Sequence, residues 1–162
     1  MSNKINYVVG DATNPIGNGR KFICHICNDV GAWGCGFVME LSKKWKEPEK
    51  YYRSQKSYNL GEIQVVTVDN EHPSNIVHVV NMIAQHGIST KPLDKNLPPI
   101  RYVALEKCLD KLATSLMVIH GSVHMPMIGT GLAGGNWKII ERIIEITLIE
   151  KDIPVYVYEY NK

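Results

Sequence analysis

Histidine, asparagine and aspartate stand together in Cys24-His25-Ile26-Cys27-Asn28-Asp29, at the end of an apolar run and just ahead of a glycine-bearing loop. A carboxylate at the tip of a strand is placed to act as a base or to position a water, which makes Asp29 the first catalytic candidate. His25 is either a core histidine or a catalytic, ligand-orienting group. Asn28 either shapes the turn or binds a hydroxyl. The Cys-x-x-Cys spacing of Cys24 and Cys27 suggests a metal or redox pair, but on a strand residues three apart face opposite sides. No second cysteine pair exists, and the remaining histidines have no metal-ligand spacing of the H-E-x-x-H kind. Structural cysteines, no metal and no cofactor are therefore expected, with His25 and Cys27 sharing one face of the strand.

A second chemistry-bearing stretch is Ile128-Gly129-Thr130-Gly131-Leu132-Ala133-Gly134-Gly135, which links an apolar run to an amphipathic one. Strand, glycine loop and helix N-terminus in that order make a site for an anion, most often phosphate. The glycines satisfy G-x-G-x-x-G. The dinucleotide fold that this pattern usually marks requires further parallel strands downstream, and only one strand pattern follows. A Walker-type loop is excluded because no Lys-Ser/Thr pair ends it. A phosphate or diphosphate cradle remains, against a tight turn with nothing bound. Gly31 to Gly36 is a second glycine loop opening a helix, and so a turn or a partner to the first. Within it, Trp33 either lies over a sugar or plugs the loop. Asp11, after a first short strand, is either a turn aspartate or an acceptor for a ligand amino group.

These residues need elements to position them. Ile5 to Val9 reads as a strand. Phe22 to Cys27 reads as a strand buried on both faces, since it is apolar with little alternation. Phe37, Leu41 and Trp45 mark one helix face, which Pro48 interrupts, and Glu49 to Tyr58 offers a further short helix. Gly61 to Val68 and Ile76 to Ala84 are strands joined by a hairpin loop over Asp69 to Asn75. His86 to Pro99 lacks periodicity, contains three prolines and reads as a long loop. Helices follow at Ile100 to Leu116 and Trp137 to Leu148. Strand pieces are expected at Val118-Ile119 and Val123 to Ile128, and a final strand at Ile153 to Tyr160. Strands alternating with helices, plus a central hairpin, predict an α/β fold: three α/β/α layers around a mixed, mostly parallel sheet. Ligands of such sheets sit beyond the carboxyl ends of strands, where loops after Val9, Cys27 and Ile128 are expected to meet at one cleft.

The 162 residues suit a single domain over 1–162. A net charge of +2 is too small to argue for nucleic acid. No apolar run approaches the roughly 18 residues of a membrane span. The first residues lead into a strand without a signal-like segment, and four cysteines suit a reducing compartment, so a cytoplasmic monomer is expected.

Taken in order, the loops resemble those of the macro domain, an ADP-ribose-binding module. Gly10-Asp11-Ala12 is similar to the family's adenine motif, Gly34-Cys35-Gly36-Phe37 to its first glycine loop, and Met125 to Leu132 to its diphosphate loop. The resemblance covers Ile5 to Tyr160. It looks closest to the small stand-alone branch of ADP-ribose 1″-phosphate phosphatases and terminal ADP-ribose glycohydrolases, through the His25 segment, Asn81 to Gln85 and Gly131 to Trp137. The resemblance implies that Asp11 and the Ala12 amide hold adenine. Asn28, Trp33, Gly34, Cys35, Gly36, Phe37, Gln85 and Ile128 to Ala133 complete the implied ligand site. ADP-ribose, a derivative of it or an ADP-ribosylated protein is then the partner. Hydrolysis of ADP-ribose 1″-phosphate through Asp29 or His25 is the leading activity. A non-catalytic reader and a different de-ADP-ribosylating hydrolase are the alternatives. The glycohydrolase members' lysine has no counterpart in Asn81-Met82-Ile83, and their aspartate is replaced by Ala133.

Overall fold

The computed structural model describes residues 3–88 and 98–160, so the middle of the expected 86–99 loop lies outside the described residues. The elements run β1 (Asn6–Val9), β2 (Gly19–Asn28), α1 (Phe37–Lys44), α2 (Glu47–Arg53), β3 (Ile63–His72), β4 (Asn75–Gln85), α3 (Tyr102–Leu116), β5 (Ser122–Pro126), α4 (Trp137–Thr147), a 3-10 turn (Ile149–Lys151) and β6 (Val155–Glu159). They build one six-stranded sheet in the order β1-β6-β5-β2-β4-β3. Every pairing is parallel except β3 with β4. No helix among the described residues is long and apolar enough to cross a membrane.

β2 separates two apolar cores. Phe22 and Cys24 join Leu105, Leu109 and Leu112 of α3 and Ile140 and Ile144 of α4. Ile23 and Cys27 join Leu41 of α1 and Tyr52 of α2 on the other face. The two cysteines thus point apart, as period two requires, and the three layers follow from that alternation. α4 is capped by Asn136, whose side chain accepts from Lys138 N, a cap that contributes about 1 kcal/mol.

Several boundaries differ from expectation, each for a local reason. The expected loop 69–75 is nearly all strand: β3 runs to His72 and β4 starts at Asn75, leaving Pro73-Ser74 as the turn. Pairing rather than composition extends them, with register shifts absorbing the polar residues around Asp69. β2 begins three residues early because Gly19 to Lys21 pair with Asn75 to Val77. Pro48 starts α2 instead of blocking it, since the first helical turn needs no N–H there. Val118 and Ile119 form no strand; both amides fold back on Ser115 O at 3.1 and 2.8 Å. β5 stops at Pro126 because Ile128 N turns back to Pro126 O at 2.7 Å.

The α1/α2 face of the sheet also buries histidines. His124 is wholly buried. Its Nδ1 lies 2.7 Å from Tyr158 Oη and its Nε2 2.7 Å from Ser122 Oγ, and it stacks on Tyr156. Burial, reinforced by the Lys21 charge, pushes its pKa down to about 4. Burial likewise holds His25 at about 4, against the opposing hydrogen bond to Asn81. An unfolded histidine takes up its proton near pH 6.5, so between about 6.5 and 4 the unfolded chain binds more protons. Stability is therefore full above about pH 6.5 and declines as the pH falls toward 4. Lowering the pH from 7 to 5 is expected to cost roughly 2 kcal/mol per histidine. Urea unfolding at the two pH values measures the loss. Imidazole resonances of His25 or His124 titrating near pH 6.5 in the folded protein contradict it.

Candidate functional site

Parallel pairing brings the carboxyl ends of β2, β4 and β5 to one edge of the sheet, and the chain leaves each through a loop. Two adjoining cavities of about 320 and 210 Å³ lie between these loops. The larger is lined by His25 and Ile26 of β2, Cys35 to Val38 at the start of α1, Gln85 of β4 and Pro126 to Ala133. The smaller shares Ile26, Cys35, Val38, Gln85 and Leu132 with it and adds Cys27, Asn28, Ala32, Gly34 and Ile88. Among the described residues no Asp, Glu, Lys or Arg lines either cavity, and no cluster of potential metal ligands occurs.

The loop after β5 closes on itself through Gly135 N to Gly129 O at 2.6 Å and Gly134 N to Gly131 O at 3.0 Å. A Cβ at Gly135 would sit 2.6 Å from Gly129 O, and one at Gly129 would sit 2.6 Å from Ile100 Cδ1 on a backbone with φ +75°. Both positions are therefore reserved for glycine. Gly131, by contrast, has nothing within 4 Å of its Cβ position. The N–H groups of Gly129 to Ala133 meet no acceptor among the described residues. Those of Gly34 to Val38, at the uncapped N-terminus of α1, meet none either. Two runs of unpaired amides thus flank one uncharged cleft, an arrangement that attracts anions.

Side chains expected to do chemistry are largely engaged in shaping loops. Asn28 lines the smaller cavity, but its Oδ1 accepts from Val30 N at 3.1 Å and Ala32 N at 3.0 Å and lies 2.8 Å from Tyr52 Oη. Its Nδ2 donates to Ala32 O at 2.7 Å. Asp29 lines neither cavity; its oxygens meet Gly87 N at 2.7 Å and His86 Nδ1 at 2.8 Å. Trp33 is only 5% exposed and donates Nε1–H to Ser42 Oγ at 2.8 Å, so it plugs its loop and lies over no cavity. Ser42 in turn donates to Glu49, and Arg53 joins Glu49 to Trp33 O.

His25 is 2% exposed at the floor of the larger cavity. Its Nε2 lies 2.5 Å from Asn81 Oδ1, while Asn81 Nδ2 donates to Gln64 Oε1 at 3.1 Å and Pro48 O at 3.3 Å. Since the Asn81 amide spends its hydrogens on those two oxygens, Oδ1 must accept, and the His25 proton sits on Nε2. His25 is neutral near pH 7 and leaves Nδ1 as its acceptor. Gln85 donates Nε2–H to Gly87 O at 3.0 Å.

The loop after β1 lines neither cavity. Asp11 Oδ1 accepts from Thr13 N and Oγ1, both at 2.8 Å, and no described residue bonds Oδ2. Ala12 is buried, and its N–H meets no acceptor among the described residues. Tyr158 Oη accepts from Ile16 N, and Lys44 donates to Thr13 O, fixing this loop beside α1. Two of the three expected loops therefore wall the cavities, and the third lies outside their lining. Sequence reasoning did not single out Ile26, Val38 and Ile88 as lining residues, and it met Pro126 and Met127 only within the diphosphate-loop resemblance; these residues carry no chemistry of their own, and their one signal is adjacency to the loops.

No family model matches the chain. A structure from Bacteroides thetaiotaomicron, of a protein of unknown function, is 52% identical, with TM-score 0.85 over 96% of this chain and 97% of its own. A macrodomain protein from Streptomyces coelicolor is 40% identical, with TM-score 0.80 over 98% of this chain and 100% of its own. Chromodomain-helicase-DNA-binding protein 1-like from Mus musculus is 32% identical across 99% of this chain, which spans only 18% of that relative's length. An ADP-ribose 1″-phosphate phosphatase from Saccharomyces cerevisiae is 27% identical over 96% of this chain and 99% of its own. With the glycine loops, the sheet order and the Streptomyces relative in agreement, the chain belongs to the macrodomain family.

Proposed function

We propose that the chain binds ADP-ribose, free or attached to protein. The observation that carries this is the pair of unpaired amide runs, Gly34 to Phe37 and Gly129 to Leu132, on two walls of an uncharged cleft. A diphosphate across them receives N–H donors from both sides, and the α1 N-terminus adds its dipole. Asp11 Oδ2 is the acceptor for the adenine amino group, with the Ala12 amide as a neighbouring donor. Asp11 Oδ1, already bonded to Thr13, holds the carboxylate in place. The distal ribose belongs toward the smaller cavity, where Gln85 keeps its carbonyl oxygen available.

A second reading, hydrolysis of ADP-ribose 1″-phosphate, is supported by the yeast relative and by a Lodderomyces elongisporus relative of the same name at 24% identity over 96% of this chain. Binding energy from the adenosine half would position the phosphomonoester. His25 Nδ1 would orient the attacking water, while loop amides stabilise developing charge.

Titration calorimetry with ADP-ribose is expected to give saturable heat. Gly131→Leu should fold with the parent's melting temperature, since its side chain enters open space, yet weaken binding at least about tenfold by filling the cleft. Asp11→Ala should weaken it by roughly 10- to 100-fold, the worth of a hydrogen bond to a charged group. Absence of heat with the parent sinks the proposal. For the second reading, phosphate release from ADP-ribose 1″-phosphate is expected to fall roughly tenfold or more in His25→Phe. Tight ADP-ribose binding without any release leaves a reader and removes the phosphatase.

A further inference from the structure

Asp29 has three bonds to one short turn. Its Oδ1 accepts from Gly87 N at 2.7 Å, its Oδ2 meets His86 Nδ1 at 2.8 Å, and its own N donates to Gln85 O at 2.9 Å. The side chain is 14% exposed. That turn begins at Gln85, which lines both cavities, and reaches Ile88, which lines the smaller one. Its first half has other supports: Gln85 bridges to Ile100, and His86 N donates to Pro99 O at 2.7 Å. Gly87 lacks them. It sits at φ +68°, and among the described residues its N–H has only the Asp29 carboxylate as acceptor. Among the described residues, the Asp29 carboxylate is the bond that ties the Gly87 end of the turn, next to Ile88, to the end of β2.

We infer that Asp29 is a positioning residue of the proposed ADP-ribose site, seating Gly87 so that Ile88 and the Gln85 side chain form one wall of the smaller cavity. The inference rests on the ADP-ribose reading. It assigns Asp29 to binding and not to proton transfer, which agrees with its absence from both cavity linings. Burial alone raises the Asp29 carboxyl, but the Gly87 N–H and the His86 ring outweigh it and hold the group below the usual carboxylate range. A carboxylate so held is a poorer base.

The test compares Asp29→Ala with Asp29→Asn in the full chain. Asparagine keeps an oxygen for Gly87 N; alanine keeps nothing. By calorimetry, Asp29→Ala should raise the Kd for ADP-ribose about tenfold or more, and Asp29→Asn should stay within about threefold of the parent. The Gly87 amide, read by hydrogen exchange without ligand, should be protected in the parent and in Asp29→Asn and unprotected in Asp29→Ala. Where the parent releases phosphate from ADP-ribose 1″-phosphate, KM should follow Kd while kcat stays within about twofold in both variants. A base would instead lose kcat about a hundredfold in Asp29→Asn at unchanged KM, and that result overturns the inference. So does an Asp29→Ala protein that binds as the parent does. A parent giving no heat overturns the ADP-ribose reading and the inference with it.

Discussion

All ten residues of β2 pair with β4, from Gly19 opposite Asn75 to Asn28 opposite Gln85, and Lys21 to Ile23 pair with β5 on the other side. Both ladders are parallel, so three strands end at the same edge and three loops have nowhere else to go. A strand paired on both sides in the middle of a parallel sheet must be apolar on both faces. That requirement explains Phe22 and Cys24 against α3 and α4, and Ile23 and Cys27 against α1 and α2. The register shift after Cys27 then breaks the alternation where the strand stops. There Asn28 turns toward its own loop, and Asp29 turns toward the chain leaving β4.

That geometry divides the labour at the cleft. Side chains with charge or strong polarity hold the walls: Asn28 shapes the loop before α1, Asp29 the turn after β4, and Glu49 with Arg53 and Ser42 the Trp33 plug. The cleft itself is left to backbone amides, apolar surface and uncharged side chains such as those of His25, Gln85 and Thr130. An ionised lysine or arginine there would need its own solvation when the site is empty, whereas fixed amide dipoles face an incoming anion without reorganising. Two amide runs belonging to two separate loops also impose a spacing, which a single helix N-terminus does not.

Much of the fold was legible because it rests on periodicity. The i, i+4 apolar spacing of α1 and the dense apolar strand of β2 follow from local patterns, and so does the opposition of Cys24 and Cys27. The glycine stretches were legible as the loops that join strand to helix, because they interrupt those patterns. The roles of Asn28 and Asp29 were not, because their partners are set by tertiary pairing. Gly87 lies 58 residues from Asp29 in sequence and meets it only once β2 lies beside β4. The hairpin was legible but its loop was drawn too long, for the same reason: polar Asp69 to His72 look like loop, yet pairing with β4 carries them as strand. Ile26, Val38 and Ile88 could not be singled out, since an apolar residue lining a cleft and one filling a core have the same chemistry.

The G-x-G-x-x-G pattern itself shows why motif and mechanism part company. Its first glycine is fixed by packing, because a Cβ at Gly129 would strike Ile100 and Ile140. Gly135, outside the pattern, is fixed more firmly still, by the carbonyl of Gly129. Gly131 has no such neighbour, so the fold does not require it. What remains at Gly131 is the cleft: a side chain there would occupy the space in front of the unpaired amides. Gly129, Gly134 and Gly135 shape the loop, and Gly131 leaves the space beside it open. The same spacing at the start of a dinucleotide fold therefore carries a different meaning from this one, which precedes the sheet's last strand, β6.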